Sequence, residues 1–334
     1  MANKAIKRIS VIGDGGWGTT LALYLDARGY DVLVWGAFAD YVKQVSEKRE
    51  NIKFLPGIKI SKRITWSADL SSAVAHADLI VLATPSQYLA NVLRKIKIFD
   101  HSKKVFLSVV KGIDMESLKR MSQIIHDELG NIPLAVLSGP TIASELAHGH
   151  VTTAVIASNN QALVAKLQKV FHSELFRIYT SNDVIGVELG GSVKNVIALA
   201  CGICDGLGLG TNAKAAILSR GLAEMARLGA AMGAKKETFY GLAGLGDLVT
   251  TCVNAQSRNR TVGEAIGRGK DIQTILNSMS MVAEGVGTAK AVYRLSKKLK
   301  IKMPISEEVY NIIYKRKKVK AALESLMARS FKSE

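Results

Sequence analysis

The sequence predicts an α/β half built on a mostly parallel sheet, followed by an all-helical half, and three observations carry that reading. Short apolar runs alternate with helical patterns from Arg8 to about Asn182, as expected of strands joined by crossover helices. Strand patterns then stop, and Val184 to Phe331 reads as helices with short Gly-rich connections. Composition shifts at the same point, because all six histidines (His76, His101, His126, His148, His150 and His172) lie in the first half. A length of 334 residues suits two domains, expected at 1–182 and 183–334.

Arg8 opens an apolar strand that runs into Gly13-Asp-Gly15-Gly16-Trp17-Gly18, and a helix is expected from Thr19 to Arg28. Strand, G-x-G-x-x-G and helix in that order form a dinucleotide fingerprint. Gly13 permits the tight turn, Gly15 lets the backbone approach a pyrophosphate, and Gly18 lets helix and strand pack closely. Gly16 adds one more exposed amide. The first half is therefore expected to be Rossmann-like, with phosphates resting on free N–H groups at the helix start. Asp31–Trp35 is the second strand. Its tip, Trp35-Gly36-Ala37, lacks the acid that usually holds the ribose 2′-OH of NAD. That tilts the expectation towards NADPH or dual use, although no arginine stands there to clamp a 2′-phosphate.

A helix at 39–49, a strand at 78–83, a helix from Ser86 and a strand at 104–110 continue the alternation. Further units are expected at 114–129, 134–137, 141–148, 153–157, 161–171 and 176–180. Ligands of such sheets lie beyond the carboxyl ends of strands. The candidate ends are Ala83-Thr84-Pro85-Ser86, Val110-Lys111-Gly112 and Ser138-Gly139-Pro140-Thr141.

In the helical half, Glu188 to Asp205 reads as a helix apolar on nearly every side, with Lys194 and Asn195 set into it. Such a helix is buried, and a buried lysine is costly unless its charge or proton is used. A lysine that snorkels to water from the helix edge is the other reading. Gly190, Gly191 and Ala198 share its face, which predicts room for a ligand over the amine. This half has no histidine, so a proton donor here must be a lysine, and desolvation brings a lysine's pKa down towards neutrality. Asp247, in Gly241-Leu-Ala-Gly-Leu-Gly246-Asp247, is placed either to face that lysine or to cap a helix. Ser257-Arg258-Asn259 opens a helix at 261–267 and combines a cap, free amides and a guanidinium into an anion site. Met303-Pro304-Ile305-Ser306 signals another helix start.

Several classes are excluded. A chain 48% hydrophobic with five prolines is not disordered. No apolar run reaches the ~20 residues a bilayer span needs; residues 196–204 are too few, and 215–234 is broken by Arg220, Glu224 and Arg227. Lys4, Lys7 and Arg8 lead into the glycine loop without a secretory apolar region, so a cytoplasmic location without integral membrane association is expected. Three cysteines do not make a disulfide framework. Cys201 and Cys204 lie inside the apolar helix and read as buried and structural, with no metal site expected. The net charge of +17 is dispersed, densest at 297–302 and 315–320. No nucleic-acid motif accompanies it, so steering of phosphorylated ligands is its simplest role.

Taken in order, these motifs resemble the bacterial-type NAD(P)-dependent glycerol-3-phosphate dehydrogenases, nearly end to end. The resemblance rests on Val11-Ile-Gly-Asp-Gly-Gly-Trp-Gly18, Glu50-Asn-Ile-Lys-Phe-Leu-Pro-Gly57, Val110-Lys-Gly112 and Leu137-Ser-Gly-Pro140. It continues in Val187-Glu-Leu-Gly-Gly-Ser-Val-Lys-Asn195, Cys204-Asp-Gly-Leu-Gly-Leu-Gly-Thr-Asn212, Leu242-Ala-Gly-Leu-Gly-Asp247 and Ser257-Arg-Asn259. It implies a helical domain like the C-terminal one of 6-phosphogluconate dehydrogenase. It also implies reversible reduction of dihydroxyacetone phosphate to sn-glycerol 3-phosphate with NADH or NADPH, towards the glycerol backbone of phospholipids. The resemblance makes Lys194 the acid/base, Asp247 its neighbour, and Lys111 a contact of both substrate and nicotinamide. Gly139, Thr141, Asn195, Ser257, Arg258 and Asn259 become substrate contacts. Trp17, Ala37, Ala143, Arg258 and Glu284 join the glycine loop around the cofactor. This sequence departs from the family pattern at Ala37, where His or Arg is common, at Ser144 and Gly287, which replace Lys and Arg, and at Gly16, which replaces Ser. A homodimer is expected. Two alternatives remain at this point, a β-hydroxyacid dehydrogenase-like reductase of a carboxylate substrate and a non-catalytic NAD(P)-binding protein.

Overall fold

The apolar runs of the first half form one sheet of eight strands. The computed structural model describes residues 5–279 and 282–330; Lys4 and Phe331 lie outside the described residues. Contacts divide the chain into two units, Met1–Lys111 with Arg120–Val187, and Gly112–Lys119 with Glu188–Glu334.

The first unit runs β1 (Arg8–Ile12), α1 (Gly16–Ala27), β2 (Asp31–Trp35), α2 (Ala39–Lys48), β3 (Glu50–Asn51) and β4 (Leu55–Lys59). It continues with β5 (Thr65–Ser67), α3 (Leu70–His76), β6 (Leu79–Leu82), α4 (Ser86–Ile96) and β7 (Val105–Ser108). Then come α5 (Met121–Leu129), β8 (Leu134–Ser138), α6 (Ala143–Ala147), β9 (Thr152–Ala157), α7 (Gln161–Phe171) and β10 (Phe176–Ser181). The sheet order is β10-β9-β8-β7-β6-β1-β2-β5. Every pairing in it is parallel except β8 with β9, where Leu137 faces Ile156 in antiparallel register. The connection between those two strands holds one helix, the five-residue α6; antiparallel neighbours need no crossover over the sheet. Side chains of α1, α2 and α7 cover one face of the sheet, and those of α3, α4 and α5 cover the other. Strands buried on both faces read as continuous apolar runs, which is why β6 is Leu-Ile-Val-Leu, buried throughout.

Strand order reverses at β1, flanked by β2 and β6. Loops beyond the carboxyl ends of β1, β2, β6, β7 and β8 therefore share one edge, the edge where such sheets bind ligands. The small β3–β4 hairpin, β5 and α3 carry no clear sequence signal. The helix expected at 114–129 starts only at Met121. Asp114 Oδ2 accepts from the backbone N–H of Glu116 and Ser117 and from the Ser117 hydroxyl. Leu118 then takes φ 60°. A carboxylate bonded to its own downstream amides offers the backbone an alternative to helix.

The second unit is helical, as expected. It comprises α8 (Val184–Gly206), α9 (Gly210–Ala231), α10 (Asp247–Val253), α11 (Arg258–Gly267), α12 (Ile272–Asn277), α13 (Glu284–Lys298), α14 (Pro304–Lys315) and α15 (Val319–Met327). A 3₁₀ turn at Lys236–Tyr240 and a π turn at Leu242–Gly246 precede α10. Helix α8 is long and apolar enough to cross a bilayer, yet 89% of its most apolar window is buried, as in a core helix. Its Gly202 and Gly206 meet the backbone of α11, while Gly263 and Gly267 of α11 meet the carbonyls of Leu199 and Ile203. A Cβ at any of the four would come within 3.0 Å of backbone, so the crossing is set by main-chain contact.

Helix α14 starts on a buried carboxylate. Glu224 of α9, 2% exposed, accepts from Ile305 N (2.6 Å), Ser306 N (3.1 Å) and Ser306 Oγ (2.8 Å). The two amides are orphan donors of a helix start, and the Ser306 hydroxyl adds a third donor. Burial nevertheless raises the Glu224 pKa above the ordinary glutamate value, with the three donors drawing it down only in part. The folded state thus holds that proton more tightly than the unfolded one, so this group's contribution is full below the ordinary glutamate range and declines as pH rises through the folded pKa. Glu224→Gln should flatten that slope in urea-melt stability measured from pH 4 towards neutrality. Glu224→Ala should cost roughly 1–3 kcal/mol by stranding the donors. An unchanged slope and unchanged stability would remove Glu224 from this role.

Candidate active site

Each glycine of the first loop has its own physical reason. Gly13 sits at φ 129°, and a Cβ there would lie 2.7 Å from the carbonyl of Ala83. Gly18 packs on the Gly13 carbonyl too closely for any side chain. Gly15 has nothing within 4 Å of its Cβ position and caps α1 without a side-chain hydrogen bond. The first-turn amides of α1 are thus left to a ligand at a helix N-terminus, where an anion is favoured. A pyrophosphate fits this place. Gly16 is glycine because the β3–β4 turn lies over it, its Cβ position 2.6 Å from the Phe54 carbonyl oxygen. The Trp17 indole packs edge-on against Phe176 at 6.3 Å, which leaves its backbone, not its ring, for the phosphates.

Asn51 holds this loop from below. Its Nδ2 donates to the Asp14 carbonyl (2.8 Å) and to Thr19 Oγ1 (2.7 Å). Its Oδ1 accepts from Tyr41 Oη (2.5 Å) and Phe54 N (3.2 Å). Nothing local in the Glu50–Gly57 motif signals this use of Asn51. Ala143 starts α6 beside the loop, its carbonyl accepting from Thr20 Oγ1 at 3.0 Å. Ala37 is exposed beyond β2, next to Phe38, which is 73% exposed. At the β8 end, Lys111 Nζ donates to the Gly139 carbonyl (3.1 Å) and to Thr141 Oγ1 (3.4 Å). Gly139 is at φ 142°, so the turn that aims this carbonyl requires glycine.

In the second unit, Lys194 is buried, not snorkelled. Its side chain is 7% exposed and ion-paired to Asp247, itself 1% exposed. Lys194 Nζ also donates to Thr251 Oγ1 at 2.6 Å, and that hydroxyl donates to the Asp247 carbonyl at 2.7 Å. Asp247 is the first residue of α10, with Thr251 one turn on. Gly190, on the face it shares with Lys194, has a different purpose from the one expected. Gly190 does not leave ligand space, because the carbonyl of Ala243 fills it. The small face lets the π turn press on α8, and that contact delivers Asp247 to the amine.

The remaining residues gather around the start of α11. Ser257 caps it, accepting from Arg260 N, and Arg258 is exposed, with one guanidinium nitrogen donating to the Val282 carbonyl at 2.8 Å. Buried Asn259 accepts from Gly285 N at 2.9 Å. Gly285 also lies against the Asn195 carbonyl, so Asn195, Asn259 and the α13 start that carries Glu284 come together. Gly287 packs on the Met115 sulfur, its Cβ position 3.2 Å away. Cys201, Cys204 and Cys252 are free and buried.

A family model described as the NAD-dependent glycerol-3-phosphate dehydrogenase N-terminus matches residues 8–164, and its C-terminus counterpart matches 183–324. A glycerol-3-phosphate dehydrogenase (NAD(P)+) of Bacillus subtilis is 46% identical over 327 residues, covering 97% of this chain and 95% of its own. The crystal structure of a glycerol-3-phosphate dehydrogenase from Coxiella burnetii aligns with TM-score 0.94 at 37% identity, covering 97% of this chain and 99% of that one. The Plasmodium falciparum enzyme aligns at TM-score 0.88 and 28% identity, over 98% and 97%. A ketopantoate reductase family protein and a D-mandelate dehydrogenase, at 16% and 15% identity and TM-scores 0.60 and 0.61, share the fold alone.

Gly190→Ala should lower stability by about 1–3 kcal/mol, since a backbone carbonyl, unlike a flexible side chain, cannot move aside cheaply. That loss is net of the ~1 kcal/mol an alanine returns in helix propensity. A thermal melt at or above the parent's would contradict the close contact with Ala243.

Proposed function

The chain belongs to the NAD-dependent glycerol-3-phosphate dehydrogenase family, and from that membership we propose how its residues carry the reaction. The enzyme reduces dihydroxyacetone phosphate reversibly to sn-glycerol 3-phosphate with NADH or NADPH, a product suited to the backbone of glycerophospholipids. Residues 1–182 hold the dinucleotide, and 183–334 supply the proton donor and the phosphate site. When bound, the nicotinamide supplies the hydride that adds to the ketone carbon. The Lys194 ammonium donates its proton to the ketone oxygen as charge develops there, and in the reverse direction the neutral amine takes it back. Asp247 balances and orients the ammonium, and Thr251 fixes its direction. Lys111, held by Gly139 and Thr141, adds positive potential. The amides at the start of α11 and the Arg258 guanidinium take the phosphate, for which a helix N-terminus and a planar fork are suited.

One observation carries this reading. A lysine 7% exposed and an aspartate 1% exposed are paired between helices, a costly arrangement in the interior. Donors fixed in water-poor surroundings act strongly on developing charge. A carboxylate-substrate reductase is the rival reading. A phosphate-bearing ketone as the preferred substrate favours the present one, and turnover of 2-oxo acids with none of dihydroxyacetone phosphate would overturn it. Homodimeric assembly in the cytoplasm is proposed as well; a solution mass of a single chain by light scattering would remove the dimer.

Following nicotinamide absorbance, Lys194→Met with Asp247→Asn (neither charge left alone) should lower kcat at least about a hundredfold, the scale of one lost oxyanion donor. NADH binding should stay within about twofold, since the pair is assigned to chemistry and not to the coenzyme. Near-parental kcat would sink the assignment. Arg258→Ala should raise KM for dihydroxyacetone phosphate by about tenfold or more, one charge-assisted contact. An unchanged KM would remove Arg258 from phosphate binding.

A further inference from the structure

Asp14 lies inside the glycine loop, and the reaction proposed above makes no use of it. Its Oδ2 is buried and has no hydrogen-bond partner. Leaving such an oxygen unsatisfied costs roughly 1–3 kcal/mol, and an orphaned buried polar atom calls for an explanation. Its location supplies one. Gly36 follows β2 directly, and a Cβ at Gly36 would come within 3.0 Å of Asp14 Oδ2. The carboxyl of Asp14 thus stands where a side chain at the strand tip would begin. In dinucleotide folds that tip is where an acid binds the adenosine ribose, and here the tip itself, Trp35-Gly36-Ala37, has none.

We propose that Asp14 is the ribose-reading carboxyl of this chain, accepting from the 2′-hydroxyl of NADH and repelling the 2′-phosphate of NADPH, so that NADH is selected. The proposal rests on reading Gly13–Gly18 as the dinucleotide loop. Glycine at position 36 is its structural counterpart, because any larger residue would displace the carboxyl. Counting acids on the strand tip alone points to NADPH or dual use; the fold brings in a carboxyl from 22 residues earlier (Gly36 against Asp14). Burial raises the Asp14 pKa, opposed by its own backbone N–H and by Lys53, and Tyr41 also feels its charge. Lys53 is the cation that could favour a 2′-phosphate. It is exposed, resting over the rings of Phe54 and Tyr41 at 5.1 and 6.0 Å. Water screens an exposed ammonium far more than a buried carboxyl, so repulsion by Asp14 dominates.

Fluorescence titration of the full chain with NADH and NADPH, at fixed pH and salt, tests this. The parent should bind NADH at least about tenfold tighter, equivalent to one repulsive charge contact. Asp14→Asn and Asp14→Ala should both bring the two dissociation constants within about threefold, chiefly by tightening NADPH. Without coenzyme, Asp14→Ala should melt no lower than the parent, since it removes an unsatisfied group. Equal or tighter NADPH binding by the parent overturns the proposal, as does a ratio unchanged in both variants. Binding of neither coenzyme overturns the dinucleotide-loop reading and this proposal with it, whereas tight but unselective binding overturns this proposal alone.

Discussion

The buried pair of Lys194 and Asp247 is the interaction on which the proposed reaction depends. Taking both charges out of water costs several kcal/mol for each, and their attraction returns that only with good geometry and further hydrogen bonds. Such a pair is weak evidence of a stabilising role. It is stronger evidence that a proton or a charge is wanted in that place, because an apolar pair would fill α8 and α10 at less cost. The geometry is supplied in layers: Thr251 one turn along α10, the π turn that sets the direction of α10, and Gly190 that admits the turn. A π turn inside helical structure is rare and recurs at functional sites. Here its effect is to place one carboxylate against one amine.

Backbone contact through glycine is the means by which both units fix their functional groups. In the first unit Gly13, Gly16 and Gly18 each meet main chain, from Ala83, Phe54 and Gly13 respectively. In the second, Gly190, Gly202, Gly206, Gly263 and Gly267 do the same. Main-chain contacts cannot be relieved by a rotamer change, so they hold position more firmly than side-chain packing does. Gly15 differs: its Cβ position is open, as a loop that must admit a phosphate requires. A glycine-rich sequence therefore specifies two things, close approach and vacant approach, and the residues alone do not say which applies where.

That ambiguity marks what was legible in the sequence. The alternation of apolar strands and helices predicted the sheet and its helical companion, because burial on both faces writes itself as continuous hydrophobic runs. The three motif glycines were legible because the strand–loop–helix context assigns each a task. Gly190 was misread as ligand space, since its partner Ala243 lies 53 residues along and no local pattern reports that contact. The hairpin of β3 and β4 was missed because its strands are short and partly exposed. The start of α5 was misplaced because Asp114 bonds to the amides that a helix would use. Thr251 and Asn51 were missed for the same reason as Gly190: their importance lies in what they touch, and neither belongs to a residue type that announces chemistry.

Three carboxyls, at Asp247, Glu224 and Asp14, separate structure from function. Asp247 is met by an ammonium and Glu224 by three donors at a helix start. Asp14 has one oxygen without any partner. Burial raises the pKa of both Glu224 and Asp14, yet only Glu224 has donors on both oxygens. A chain able to direct three donors onto Glu224 could have met the orphan at Asp14 with a single serine or threonine. Gly36 is glycine because a Cβ there would collide with this carboxyl. Unsatisfied groups persist where a site must be completed from outside. Asp14 lies beside the strand tip that dinucleotide folds reserve for ribose recognition, and a ribose hydroxyl is a hydrogen-bond donor of the kind its Oδ2 is proposed to meet.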